Sequence, residues 1–325
     1  MQAARLRGLR PLANAGPATA VPPPGSALVP LDRAATWLNS QPLNADALRR
    51  RVVLVNFWTY SCVNWLRTLP YLRAWAERYA EHGFVVVGVH APEFSFEHVV
   101  DNVRRAIGQL RVEYPVVIDN EFVIWRAFDN HYWPATYLVD GEGLVRFHHF
   151  GEEAYEETER AIQQLLGIQA PATPVDAGGL AVAADWGRLK SPETYLGSAR
   201  GERRSDQPAD ALALNQWILT GPWAVEDESA ALDAAPGSIV YRFEGRDLNL
   251  VLTPADADRA VHFSVRLDGQ PPGDDRGLDV DVSGAGAVGE PRMYQLIRHR
   301  GLGRRRTFEI TFHDPGVHAY VFTFG

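Results

Sequence analysis

Two short runs of apolar, largely β-branched residues, RVVLVNFW at 51–58 and FVVVGVH at 84–90, bracket a segment with helical spacing. No other feature restricts the fold more. Strands that are apolar on both faces must be covered on both faces, as in the interior of a parallel sheet. Between them Trp65, Leu66, Leu69, Leu72, Ala76 and Tyr79 recur along one face of a helix over 63–81, and Gly83 stands where a left-handed residue closes it. A βαβ unit follows. The pattern continues with a helix over 95–110, a strand over 115–119 and a short helix over 121–128. Strands over 135–140 and 144–149 flank the turn Asp140-Gly141-Glu142-Gly143, whose residues tolerate positive φ, and a helix over 152–166 completes a small α/β domain.

The rhythm then changes. Residues 168–190, with prolines, paired glycines and many alanines, read as a linker. Short, partly alternating runs at 238–244, 247–253, 260–267, 278–282, 292–297, 306–312 and 317–324, separated by Gly, Pro and Asp, predict an all-β sandwich over 191–325. The first 30 residues carry Arg5, Arg7 and Arg10 followed by a proline cluster and read as a flexible arm, with no continuous apolar core of the kind a secretory signal needs. No apolar run approaches the roughly 20 residues that cross a bilayer as a helix. The net charge of −8 argues against a nucleic-acid partner. The run Arg304-Arg305-Arg306 reads as a solvated strand end. His148 and His149, adjacent on a strand, point to opposite faces and do not chelate one metal together. Neither a metal nor another cofactor is expected.

With one cysteine in 325 residues, Cys62 acts alone or not at all. It follows a buried strand and opens the next helix, where backbone N–H groups and the helix dipole favour a thiolate, so it is a candidate nucleophile with a lowered pKa. The bland alternative is a small buried hydrophobe. The run Asn56-Phe57-Trp58-Thr59-Tyr60-Ser61-Cys62, Pro70 eight residues beyond, and Trp133-Pro134-Ala135-Thr136 leading into the hairpin resemble the thioredoxin-like fold. Longer phrases, among them VNFWTYSCVNWLRTLPYLRAW, VVVGVHAPEF and FHHFGEEAYEETE, are similar to the TlpA-like thioredoxins and, among them, to the soluble DipZ-type branch. SPETYLGSAR, RMYQLIR and FEITFHDPGVHAYVFTFG resemble the carbohydrate-binding-module-like, jelly-roll-like β-sandwich that follows the thioredoxin domain there. The resemblance spans about residues 32–325. It implies that Cys62 is the attacking cysteine and that Pro134 is a cis-proline facing it. It also implies protein thiols or disulfides, or glutathione, as partners, a glycan or cell-envelope partner for the sandwich, and an extracytoplasmic, periplasmic setting. The missing signal keeps a cytoplasmic setting open.

Two departures shape the chemistry. Trp65 stands where the family has its second, resolving cysteine, and Asn56 where many thioredoxins carry a buried acid that moves a proton to that cysteine. Three readings stay open. In the first, Cys62 attacks a disulfide and an external thiol resolves the adduct. In the second, the chain is a redox-inactive adaptor with a groove beside Trp58, Trp65 and Trp133. In the third, Thr59-x-x-Cys62 supports a one-cysteine peroxidase. In the sandwich, Trp217, Trp223, Tyr241 and Tyr294 are the aromatics with a shape for stacking on a sugar, although most aromatics of a sandwich are core.

Overall fold

The computed structural model describes residues 27–301 and 305–325. The described residues divide into two compact units, with the boundary between Ala181 and Val182. The sheet of the first unit has the order β1-β4-β3-β2-β5-β6, built from β1 (Trp37–Leu38), β2 (Val52–Trp58), β3 (Phe84–His90), β4 (Val116–Ile118), β5 (Ala135–Val139) and β6 (Val145–Phe150). β2, β3 and β4 run parallel, and β5, β6 and β1 pair antiparallel. All seven residues of β2 are buried, as the unbroken apolar run requires of a central strand.

Helix α1 (Val63–Arg78) follows β2, α2 (Val100–Leu110) precedes β4, α3 (Val123–Ala127) precedes β5, and α4 (Tyr155–Leu166) closes the unit. Pro70 lies inside α1, where it leaves one carbonyl of the preceding turn without its usual donor. The expected helix over 95–110 is two pieces. A single 3₁₀ turn (Ser95–His98) is separated from α2 by the extended Val99. At α3 the Asp119 carboxylate accepts the N–H groups of Val123, Ile124 and Trp125, which sets the Trp125 ring 4.5 Å from that of Trp133.

Of the expected arm, residues 1–26 lie outside the described residues. Residues 27–30 do not belong to an arm: Ala27 and Leu28 are buried in the core of the first unit, and a 3₁₀ turn begins at Val29.

The second unit is two antiparallel sheets. Its strands are β7 (Thr194–Tyr195), β8 (Trp217–Thr220), β9 (Trp223–Val225), β10 (Ala230–Leu232), β11 (Gly237–Glu244), β12 (Asp247–Pro254), β13 (Val261–Leu267), β14 (Ala285–Val288), β15 (Arg292–Arg298), β16 (Arg305–Phe312) and β17 (Val317–Phe324). One sheet has the order β15-β12-β17-β10-β9, with β7 on β17; the other has the order β14-β13-β16-β11-β8. Strands β10 to β17 thereby take the winding of a jelly roll. Leu248, Leu250 and Leu252 of one sheet and Val261, Phe263 and Val265 of the other meet in a single hydrophobic core.

The expected strand over 278–282 is a loop. The Asp279 carboxylate accepts the N–H of Gln295 and binds Arg292, and that of Asp281 accepts the N–H groups of Ser283 and Ala285. Side chains that satisfy the local backbone in this way compete with a strand ladder. Arg304 lies outside the described residues; Arg305 is exposed at the start of β16, as expected, whereas Arg306 is less solvated than expected and pairs with Asp268.

Candidate functional site

Cys62 is the N-cap residue of α1, with φ −76° and ψ 114°. Its N–H donates to the Thr59 carbonyl at 3.3 Å, and its own carbonyl accepts the N–H of Leu66 at 3.0 Å. From Val52 to Val63 every residue except Cys62 is buried, so Cys62 is the one residue of this stretch that is partly open to solvent. The first turn of α1 carries no acidic side chain, leaving the positive end of the helix dipole uncompensated by its own residues. The Trp133–Pro134 bond is cis, and Pro134 is buried, its carbonyl accepting the N–H of Gly151 at 2.8 Å. Cys62 packs against a cluster that includes Trp133 and Ala135, the neighbours of Pro134.

The two departures meet. Trp65 is fully buried, and its indole N–H donates to Oδ1 of Asn56 at 3.1 Å. The Asn56 amide in turn donates to the Ala135 carbonyl at 3.3 Å and to Oγ1 of Thr136 at 3.2 Å. The Trp65 ring stacks on that of Trp58, centroids 4.1 Å apart and planes 21° from parallel. On β3, a Cβ at position 88 would fall 2.8 Å from Nε1 of Trp58 and 3.1 Å from the Tyr114 ring, so Gly88 makes room for this stack. The space beside Cys62 that a second thiol would occupy is a packed, hydrogen-bonded aromatic floor.

This arrangement corrects the expected aromatic groove. Trp58, Trp65 and Trp133 are each at most 1% exposed, and the Trp133 N–H is taken by the Ala91 carbonyl at 3.0 Å. Thr59 is also fully buried, and it is its carbonyl that meets Cys62. In the sandwich, Trp217 and Tyr294 are core residues with their polar atoms bonded to the Glu202 carbonyl and to residues 289–290, and Tyr241 is fully buried. Trp223 packs edge-on against Phe312. Trp217, Tyr241 and Tyr294 offer no exposed stacking face for a sugar, because a two-sheet core takes up its own aromatics, while Trp223 is half-buried at the edge of that core. His148 and His149 lie on opposite faces of β6, His148 exposed and His149 bonded to the Glu152 carbonyl at 2.9 Å.

Sequence reasoning missed three buried polar groups around the thiol. Glu97, on the 3₁₀ turn after β3, accepts the Ser61 hydroxyl at 2.6 Å with one carboxylate oxygen and the N–H groups of Glu93 and Phe94 with the other. Burial first, and then the charge of Glu93, push its pKa up to about 7, against the opposing bond from Ser61. His90 ends β3, fully buried, edge-on to Trp58 and stacked with Tyr60. Burial, then His98, push its pKa down to about 3. Arg67 of α1 forms a buried ion pair with Glu152 at 2.8 Å, tying the cysteine helix to the segment that follows β6. Glu152 is raised by burial, against Arg67. A charged residue inside a run otherwise at core spacing was the available signal, yet the sequence does not name the partner.

The first unit has the fold of a thioredoxin-like domain, and residues 32–148 match the AhpC/TSA family. Residues 191–325 match the family described as Thioredoxin like C-terminal domain, so the chain joins a thioredoxin-like α/β domain to that all-β domain. Across both, it is similar to Protein DipZ of Mycobacterium tuberculosis, 31% identical over 306 residues, covering 89% of this chain and 41% of that protein. The chain thus spans about two fifths of the length of this relative. It is also similar to the thiol-disulfide oxidoreductase YkuV of Bacillus subtilis, 23% identical over 130 residues, covering 40% of this chain and 87% of that one. Among solved structures, a thiol:disulfide interchange protein DsbE of Chlorobium tepidum matches at 23% identity and a TM-score of 0.36, over 38% of this chain and 86% of its own. Among the described residues no helix is long and apolar enough to cross a membrane.

The packing around Trp65 sets its price for removal. Trp65→Cys empties a buried indole site and strips Asn56 of its donor, so it should lower stability by about 3 to 5 kcal/mol, the range of large-to-small core changes. Urea unfolding checks this, and a loss below about 1 kcal/mol would contradict the packed floor.

Glu97 and His90 also predict a pH dependence. Below about 6.5 the unfolded chain takes up a proton at His90 that the folded chain refuses until about 3, so this contribution weakens as pH falls through that window. Glu97 has the opposite sign: the folded chain keeps its proton to about 7 while the unfolded chain releases it near 4.5, so its contribution fades as pH rises from 4.5 to 7. Between pH 4.5 and 6.5 the two slopes oppose each other. Glu97→Gln removes one of them, and its urea midpoint should fall more steeply than that of the wild type on acidification across this window. Parallel curves for the two proteins would contradict the placement of Glu97.

Proposed function

We propose that this chain carries out thiol-disulfide exchange through Cys62 alone. The observation that carries the reading is the exposure pattern: a single cysteine is the one partly exposed residue between Val52 and Val63, at the N-terminus of a sixteen-residue helix. That position favours a thiolate, the nucleophilic form. Similarity to proteins named as thiol-disulfide oxidoreductases supports the same chemistry.

In the exchange the Cys62 thiolate attacks one sulfur of a substrate disulfide. A new Cys62–S–S–R bond forms, the old S–S bond breaks, and the other half leaves as a thiolate. No second cysteine attacks this adduct, because position 65 is a buried tryptophan. A low-molecular-weight or protein thiolate from solution attacks the substrate sulfur instead, forms a disulfide with it, and returns Cys62 as the thiolate. An intramolecular thiol acts at a high effective concentration that an external one does not match, so the adduct is long-lived. Pro134, cis and buried beside residues of the Cys62 cluster, lines the peptide side of this site. The substrate is a protein or glutathione-class disulfide, and an oxidising extracytoplasmic compartment suits such an exchange.

Incubation of the full chain with oxidised glutathione tests the proposal. Intact mass should show one glutathione per chain, lost on adding dithiothreitol and absent in Cys62→Ser, and the adduct should persist when excess disulfide is removed without added thiol. A Cys62 that stays unmodified in the folded chain would overturn the oxidoreductase reading and favour the redox-inactive adaptor.

A further inference from the structure

Ser61 and Glu97 are 36 residues apart in sequence, yet the Ser61 hydroxyl sits 2.6 Å from Oε1 of Glu97. Ser61 precedes Cys62 directly, and both Ser61 and Glu97 are buried. The second carboxylate oxygen, Oε2, receives two backbone N–H groups, from Glu93 at 2.6 Å and Phe94 at 3.1 Å. One carboxyl group therefore holds together the cysteine loop and the segment that leaves β3. A neutral amide or hydroxyl would serve that structural purpose with less desolvation, since burying a carboxylate away from a cation is costly. The charge that acts on Glu97 is the like charge of Glu93.

We propose that Glu97 is a positioning residue for Cys62, which fixes the cysteine loop through Ser61 and, by gaining or losing its proton, sets how readily the neighbouring thiol ionises. This rests on the exchange chemistry proposed for Cys62. Ionised Glu97 places a negative charge on the carboxyl that holds Ser61, the residue preceding Cys62, and opposes the thiolate; protonated Glu97 does not. Burial, with a pKa pushed up to about 7, brings this change into the neutral range. The groups that face it are few in kind. Glu93 acts on it from its own segment, and the Ser61 and Thr59 hydroxyls act on it from the cysteine loop. His90, held neutral down to about pH 3, adds no charge near neutrality. Asn56, beneath Trp65, does not titrate, so the titrating carboxyl near the cysteine loop comes from Glu97, on the turn after β3. The two titrations are coupled, and the ionisation of Cys62 spreads over two steps rather than one.

The test is the rate of Cys62 alkylation by iodoacetamide in the full chain between pH 5 and 10, with thiolate absorbance followed in parallel, for the wild type, Glu97→Gln and Ser61→Ala. Glu97→Gln should turn a broad two-step profile into a single titration displaced to lower pH. At pH 8, where Glu97 of the wild type is ionised, its rate should rise by up to about threefold for each unit by which the thiol pKa falls, because a gain in thiolate of up to tenfold is partly offset by lower intrinsic nucleophilicity. Ser61→Ala removes a hydrogen bond that favours the ionised carboxylate, so Glu97 should hold its proton to higher pH and the second step should move upward. That variant keeps the test decisive if Glu97→Gln does not fold. A Cys62 that reacts with one and the same profile in the wild type and in each folded variant would overturn the role of Glu97 while leaving the exchange reading intact. A Cys62 inert at every pH would defeat the exchange reading itself.

Discussion

The hydrogen bond from the Trp65 indole to Asn56, under the stacked ring of Trp58, is the contact on which the site depends. An indole in place of a thiol needs a large volume and an acceptor for its N–H, and burial makes an unmet N–H expensive. Asn56 supplies the acceptor, and its own amide is met by the Ala135 carbonyl and Thr136 of the neighbouring strand β5. Gly88 opens β3 for Trp58 on the other side. Position 65 is thus part of an interlocked set that spans α1, β2, β3 and β5. The absence of a second cysteine is built into the core, and one thiol is left at its rim.

Around that rim the polar groups tie separate segments together. Glu97 joins the cysteine loop to the turn after β3, and the buried Arg67–Glu152 pair joins α1 to the segment after β6. Breaking such a buried pair by removing one partner is more harmful than never having had it, since the other charge is stranded. The cysteine helix is anchored at both of these points, which keeps the thiol in a fixed relation to the segment around Pro134. Rigid placement of one nucleophile fits the exchange proposed for Cys62.

Much of this was legible in the sequence because periodicity and burial agree there. The runs at 51–58 and 84–90 became β2 and β3, and the change of rhythm after residue 190 marked the all-β domain. The strand expected at 278–282 failed because Asp279 and Asp281 bond to nearby backbone N–H groups, a local competition that an alternating pattern conceals. Short strands such as β7 and β9 carry too few residues to show a period. At the site, Cys62, Trp65 and Asn56 could be singled out individually, but their mutual contact could not, because it crosses from a helix to a strand. Glu97 and the Arg67–Glu152 pair join residues 36 and 85 positions apart, a separation no local pattern encodes. The exposed aromatic groove was misread because the sequence gives no sign of whether an indole faces a groove or a neighbour's ring.

The central claim is that Trp65 and Asn56 act as one unit beneath Cys62, and a double-mutant cycle in urea measures it most directly. The cycle compares Trp65→Phe, Asn56→Leu and the double variant with the wild type. Each single change leaves a buried polar atom of its partner unmet, whereas the double change removes both atoms together. The account predicts that the double variant is more stable than the sum of the two losses allows, with a coupling of about 1 to 3 kcal/mol. Losses that add to within about 0.3 kcal/mol would mean that the two residues stabilise the chain independently, and would contradict the claim.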